Sequence, residues 1–387
     1  MLNKKSLHNQ IIYHILIDRF AGFQSTNNEM SPEFLGGTIK GITHSLPYLQ
    51  DLGITTLWIS PFYQTSAYHG YHITDFFNVD PHFGTEQDIK ELIDSVHEMR
   101  MFIIADFVPN HCSYLHPFFI KAQQDRNSLY YKWFYFMKWP DSYQCFLSVK
   151  DLPKLNLQYP PARQHIIDAA LYWLEYGFDG FRLDHVIGPS HDFWQAFVHK
   201  IKQQYPSIIL IGEAWMHGIH FSELSTVRIP WKYIKWFFGQ ASDWLLKSYL
   251  YLLDGVLDFK AQQILSLIKS DHLSSDEIQK LLANHYAKYP STYALPCFLD
   301  NHDMNRILYT MDNDKEKLKQ AAALQFSTPQ PVIIYYGTER GMSQNQSIFS
   351  LASHGDLLAR KPMNWSKLDY ELFEFYKNII KRKKQCV

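Results

Sequence analysis

Little in this chain points to metal, redox or membrane chemistry. Its 387 residues include only four cysteines, Cys112, Cys145, Cys297 and Cys386. They form no CxxC pair and no zinc spacing, so reduced structural thiols are expected. The histidines show no HExxH or comparable metal-binding pattern. No run of 18 apolar residues exists, so no membrane-spanning helix is expected. The first ten residues, MLNKKSLHNQ, precede only seven apolar-leaning residues before Asp18-Arg19. That is not the core of a secretion signal, and a cytoplasmic protein is the expectation. A bias of charge is also lacking: 37 basic against 38 acidic residues leave a net charge of −1 and a pI near 7. Nothing electrostatic therefore recommends nucleic acid or an anionic membrane as a partner. The basic run 381–384 reads as a solvated helix end, and Cys386 is not placed for prenylation.

What the chain does have is apolar mass and rings. Apolar residues make up 46% of it, enough for a full core. With 25 Tyr, 27 Phe and 10 Trp, aromatics reach 16%. Flat C–H faces of sugars pack well on such rings, which leans toward carbohydrate, although most of the rings are expected to be core.

Strand-like apolar runs fall at Ile11–Ile17, Thr55–Ser60, Met101–Phe107, Phe178–Leu183, Ile208–Gly212, Gly255–Phe259, Ala294–Leu299 and Val332–Tyr336. Helical periodicity separates them, clearest at Glu86–Glu98, Ala162–Tyr176, Ser190–Gln204, Lys260–Ser270 and Lys315–Phe326. Eight alternations predict an α/β fold, a (β/α)8 barrel, closed by a last helix over Leu368–Lys384. Residues 1–110 and 162–387 are assigned to the barrel, and 111–161 to a small subdomain inserted after the third strand. Residues 216–254, with Trp231, Tyr233, Trp236, Phe237, Phe238 and Trp244, form an aromatic insertion after the fifth.

Four of the runs stop at acidic blocks: Phe102-Ile-Ile-Ala-Asp106 leading to Asn110-His111, Gly180-Phe-Arg182-Leu-Asp184, Ile208-Ile-Leu-Ile-Gly-Glu213, and Phe298-Leu-Asp-Asn-His302-Asp303. Barrel enzymes build their sites where strands end, and glycoside cleavage needs paired carboxyls. Asp184 and Glu213, closing adjacent strands, are the natural pair. Arg182 lies two residues before Asp184 and so on the same side of its strand, where a guanidinium would keep a nucleophilic carboxylate ionised. Glu213 ends an apolar strand beside Trp215, and desolvation near another carboxylate suits a general acid. Asp303 could bind hydroxyls of the reacting sugar. Any one of these carboxylates alone reads more readily as a loop residue or helix cap; the set in order does not. His69, His72, His111 and His302 read as hydroxyl ligands or satisfied structural histidines.

The blocks together resemble the α-amylase family of retaining α-glucan enzymes over about Ile11 to Lys381. Asp106-Phe-Val-Pro-Asn110-His111 looks like the first family signature, Gly180–Asp184 the second, Gly212-Glu213-Ala-Trp215 the third and Phe298–Asp303 the fourth. Leu152-Pro-Lys-Leu-Asn156 is similar to the fifth in its neopullulanase and cyclomaltodextrinase form, and Tyr68-His-Gly-Tyr71-His72 to the second-strand segment. The resemblance implies Asp184 as nucleophile, Glu213 as acid/base and Asp303 as transition-state stabiliser. It places Arg182, His72, His111, His302 and Trp215 at the substrate, Tyr71 stacked beneath the reacting ring, and Asp106 and Asn110 as supports. An α-glucan or malto-oligosaccharide is the implied partner, cleaved at α-1,4 or also α-1,6 links; transfer to another sugar and an inactive glucan-binding module are the alternatives. The chain departs from the family at Ile187 and Gly188, where Lys-His is usual, and in the acid-poor loop after Asp18. No cofactor and no required calcium is therefore expected. The family's extra N-terminal domain and C-terminal β-sandwich are not expected, and a homodimer is left open.

Overall fold

The computed structural model describes residues 7–23, 30–215, 243–350 and 355–385. Eight parallel strands form one sheet: β1 (Ile11–Ile15), β2 (Thr56–Ile59), β3 (Phe102–Phe107), β4 (Gly180–Leu183), β5 (Ile209–Gly212), β6 (Gly255–Val256), β7 (Cys297–Phe298) and β8 (Val332–Tyr335). Their order is β6-β5-β4-β3-β2-β1-β8-β7, so every strand but β7 neighbours the one before it in sequence and the order wraps from eight to one. This is the (β/α)8 barrel. Strands buried on both faces need apolar residues at every position, and β1, β2, β4, β5 and β8 are buried throughout.

Every strand is shorter than its apolar run, and two, β6 and β7, are cut to two residues. Asp258 accepts from the Ala261 N–H and caps the helix Phe259–Leu265, so β6 cannot continue. Ahead of β7, Pro296 has no N–H to give to a ladder. Helix Glu86–Glu98 starts at a capping box between Thr85 and Asp88. Two short helices, Ile39–His44 and Leu46–Leu52, and a third, Ser275–Tyr286, join those read from periodicity.

The chain divides into two units by contact. The first comprises Met1–Ser60, His82–Ile104 and Leu257–Val387 and holds β7, β8, β1 and β2. There Ile11 pairs with Val332 and Ile12 with Thr56, and the last helix, Tyr370–Gln385, packs on Leu46–Leu52 and Lys315–Ser327. The second comprises Pro61–Pro81 and Ala105–Val256 and holds the end of β3 with β4, β5 and β6. Between β3 and the helix Pro160–Glu175 it carries the helix Pro117–Gln124 and a hairpin of Phe136–Lys138 with Ser142–Tyr143. Ring contacts hold this segment: Phe118 stacks on Tyr130 at 4.0 Å, and Phe119 meets Phe134 edge-on at 4.8 Å. Of the aromatic insertion, Trp231, Tyr233, Trp236, Phe237 and Phe238 lie outside the described residues. A helix at 243–248 follows, and Tyr249 donates to the Val186 carbonyl at 2.9 Å. Among the described residues no helix is long and apolar enough to cross a membrane.

Candidate active site

In the second unit the ends of three strands are tied to one another by backbone bonds. The Asp184 N–H donates to the Phe107 carbonyl at 2.8 Å, and the Glu213 N–H to the Leu183 carbonyl at 2.9 Å. These bonds bring Asp106, Arg182, Asp184 and Glu213 level, and each is at most 6% exposed. Arg182 then gathers all three carboxyls. Its Nη1 donates to Asp106 Oδ1 at 2.8 Å and Oδ2 at 2.9 Å, and to Asp184 Oδ1 at 2.9 Å. Its Nη2 lies 2.5 Å from Glu213 Oε1. Burial works against the guanidinium's charge, but Asp106, Glu213, Tyr71 and Asp184 outweigh it and hold Arg182 charged, well above its ordinary range.

Smaller contacts fix the geometry. The half-buried Tyr71 donates its hydroxyl to Asp106 Oδ2 at 2.8 Å. The His185 N–H donates to Glu213 Oε2 at 3.1 Å from a left-handed backbone with φ of 43°. Such a conformation costs a β-carbon residue about 1–3 kcal/mol, so the surrounding contacts must hold it there. Asn110 Nδ2 sits 3.2 Å from His111 Nδ1, and the Phe146 ring lies between His111 (4.8 Å) and His185 (4.7 Å). Burial first, then repulsion from the neighbouring His185, His72 and Lys154, drives His111 well below the usual histidine range, so its imidazole is neutral. His72 is half-buried with its ring 5.0 Å from that of His69, and Trp215 is half-buried two residues past Glu213. Gly188 has a reason of its own: a β-carbon there would come 2.1 Å from Asn110 Oδ1.

Asp303 and His302 belong to the first unit. Asp303 keeps 29% of its side chain exposed and is gripped from two sides, by Arg360 Nη2 at 2.8 Å and by His302 Nε2 at 3.0 Å. Arg360 also donates through Nε to the His302 carbonyl and through Nη1 pairs with Asp356 at 2.6 Å. The Asp303 N–H caps onto Asn301 Oδ1 at 2.9 Å. His302 itself is buried, edge-on to His14 at 5.0 Å, and His14 stacks on Trp58 at 3.6 Å. Behind this, Asp300 accepts from the Ile307 N–H at 2.8 Å, and burial raises its carboxyl to about 6 despite the nearby Arg306.

A family model described as the α-amylase catalytic domain matches residues 14–384. The chain belongs to the α-amylase family. Alpha-amylase 2 of Dictyoglomus thermophilum is 38% identical over 384 residues, which cover 97% of this chain and 63% of that protein. A cyclomaltodextrinase of a Bacillus species is 30% identical over 395 residues, covering 96% of this chain and 65% of the relative. Among solved structures, the type III pullulan hydrolase from Thermococcus kodakarensis superposes with a TM-score of 0.80 at 27% identity, covering 99% of this chain and 70% of its own. The chain thus spans less than two thirds of the length of these curated relatives.

Three neighbours of the α-amylase-family carboxylates escape a reading of the sequence. Arg360 lies 57 residues beyond Asp303 with no motif around it. His185 contributes a backbone N–H, which any residue but proline carries. His14 sits in mid-run in β1, where its stacking on Trp58 has no local signature.

Proposed function

We propose that the chain is a retaining glycoside hydrolase that cleaves α-1,4-glucosidic bonds of malto-oligosaccharides or cyclodextrins, with α-1,6 bonds as the second candidate linkage. One observation carries this reading: a single buried guanidinium engages Asp184 and Glu213 through different nitrogens, so two carboxyls are held together as retention requires. Asp184 attacks the anomeric carbon and becomes glycosylated, while Glu213 gives its proton to the departing glycosidic oxygen. Glu213 then takes a proton from water, which displaces Asp184 from the opposite face, the one the leaving sugar vacated, and so restores the starting anomer. Arg182 stabilises Asp184 as an anion before the first step and again after the second. The neutral His111 is suited to bond a sugar hydroxyl without adding charge. Asp303 is assigned the stabilisation of the oxocarbenium-like transition state on the strength of the motif in which it sits. The naming of relatives as a cyclomaltodextrinase and a pullulan hydrolase supports the choice of substrates and linkages.

The test is incubation with maltoheptaose and β-cyclodextrin, with the product anomer followed by proton NMR. Shorter α-anomeric sugars are expected, whereas both substrates unchanged, or β-anomeric products, would overturn the reading. A slow fluorinated α-glucosyl fluoride should leave its mass on the peptide bearing Asp184. We also infer that no calcium is needed, because Ile187 and Gly188 stand where the family's Lys-His pair lies. Dialysis against EDTA is expected to leave the turnover unchanged, and a loss restored by calcium would refute this.

A further inference from the structure

Away from the carboxylate cluster, the segment after β3 forms a groove of about 450 Å³, within the ~300–1,000 Å³ typical of small-molecule clefts. Tyr131, Phe134 and Phe136 line one side, and Asn156, Gln158 and Tyr159 the other. Tyr131 and Phe136 lie parallel within 1° at 5.3 Å between centroids, and the Arg126 guanidinium stands 6.0 Å from the Tyr131 ring. Tyr131 and Phe136 are only half-buried, whereas Phe134 is buried. Asn156 is fixed by its Nδ2 donating to the Lys132 carbonyl at 2.9 Å and its N–H to the Trp133 carbonyl at 2.6 Å. Its Oδ1 is nevertheless buried with no hydrogen-bond partner among the described residues. An unmet buried acceptor costs about 1–3 kcal/mol, so it is a standing demand for a donor.

The lining has the composition that an uncharged polyhydroxyl chain needs: parallel aromatic faces for sugar C–H groups, and amides for hydroxyls. Among the described residues Lys132 is the one charged residue in the lining, and Arg126 stands outside it against the Tyr131 ring, so no cluster of cations converges as a phosphate or nucleotide would require. The segment that forms the groove is also tied to residues of the candidate active site by backbone pairing. Lys154, two residues before Asn156, forms a β-bridge with His111, and the Leu155 N–H donates to the Asn110 carbonyl at 2.9 Å. On the other wall, Gln158 Nε2 reaches Ser190 Oγ at 2.5 Å, and Ser190 caps the helix that follows the Asp184 loop.

We propose that this groove is a second malto-oligosaccharide site, holding a stretch of α-glucan chain outside the catalytic carboxylates. The choice of ligand rests on the hydrolase reading above, but the binding does not depend on turnover. The experiment is calorimetric titration of maltoheptaose into Asp184→Asn protein, alone and combined with Tyr131→Ala or, on the opposite wall, Tyr159→Ala. Either groove variant is expected to weaken one binding event by at least tenfold. In the otherwise unaltered enzyme, the same variants should leave kcat/KM on a short chromogenic maltoside unchanged and lower it on long glucan. Binding isotherms identical with and without both groove substitutions would overturn the proposal. The two readings separate cleanly: a protein that binds through the groove but never cleaves keeps this inference and loses the hydrolase, and one that cleaves with groove-insensitive binding does the reverse.

Discussion

The two units treat their acidic residues in opposite ways. In the second, Asp106, Asp184 and Glu213 are almost sealed from solvent and share one guanidinium. In the first, Asp303 keeps nearly a third of its side chain in solvent and is held by His302 and by Arg360, which it shares with Asp356. A sealed group of three carboxyls around one cation carries excess negative charge and is expensive unless something uses it. A partly solvated carboxylate beside an arginine is cheaper to maintain. Under the proposed hydrolase reading, the difference puts the covalent and proton-transfer steps where burial makes charge most responsive, and leaves Asp303 for contact with the sugar.

The hardest way to break this comparison is to remove the buried oxygens. Asp184→Asn should reduce kcat by about 10⁴-fold or more, the scale on which loss of a covalent nucleophile is felt. Glu213→Gln should cost about 10²–10⁴-fold on malto-oligosaccharides, as loss of a general acid does. Its loss on α-glucosyl fluoride should be far smaller, because fluoride leaves without a proton. Equal losses on both substrates would strip Glu213 of the acid role, and near-normal turnover by Asp184→Asn would strip Asp184 of its own.

Next in size is the difference between the two arginines. Arg182→Met leaves three buried carboxyls without their cation and should cost about 3–5 kcal/mol of stability. Arg360→Met unpairs Asp303 and Asp356, both partly solvated, and should cost on the order of 1 kcal/mol or less. Urea denaturation of the two variants measures this. Equal shifts would erase the distinction between a sealed cluster and an open one.

How much of this could be read from the sequence depends on whether the cause is local. Runs such as Val332-Ile-Ile-Tyr335 announce strands because both faces are buried, and Asp184 two residues after Arg182 announces a shared side. The helix Ser275–Tyr286 was legible too, since Ser274 and Glu277 form a capping box, but no strand-like run drew attention to it. Arg360 was not legible, because its partner is 57 residues away in a loop without periodicity. Nor was the strained φ of His185, which depends on the Glu213 carboxyl that its N–H meets. The truncation of β6 and β7 was half visible: Pro296 stands in the sequence, but the cap made by Asp258 is a tertiary choice between strand and helix.

The smallest expected effect sharpens the comparison through pH. In the second unit, burial and then neighbouring histidines depress His111 well below 6.5, and burial with His165 takes His116 to about 4. Below pH 6.5 the unfolded chain takes up protons that these folded imidazoles refuse. The stability they provide is therefore complete above pH 6.5 and is lost as the pH falls toward the folded values, at no more than about 1.4 kcal/mol per pH unit per group. Asp300 in the first unit has the opposite sign. Its carboxyl holds a proton up to about 6 when folded, against 3.8 when unfolded, so acidification across that interval favours the folded form. Hydrogen exchange at pH 7 and pH 5, corrected for the intrinsic rate, should show peptides around 105–125 losing protection while those around 295–310 hold theirs. Uniform loss across both would mean that the neutral histidines of the second unit are not what sets its acid sensitivity.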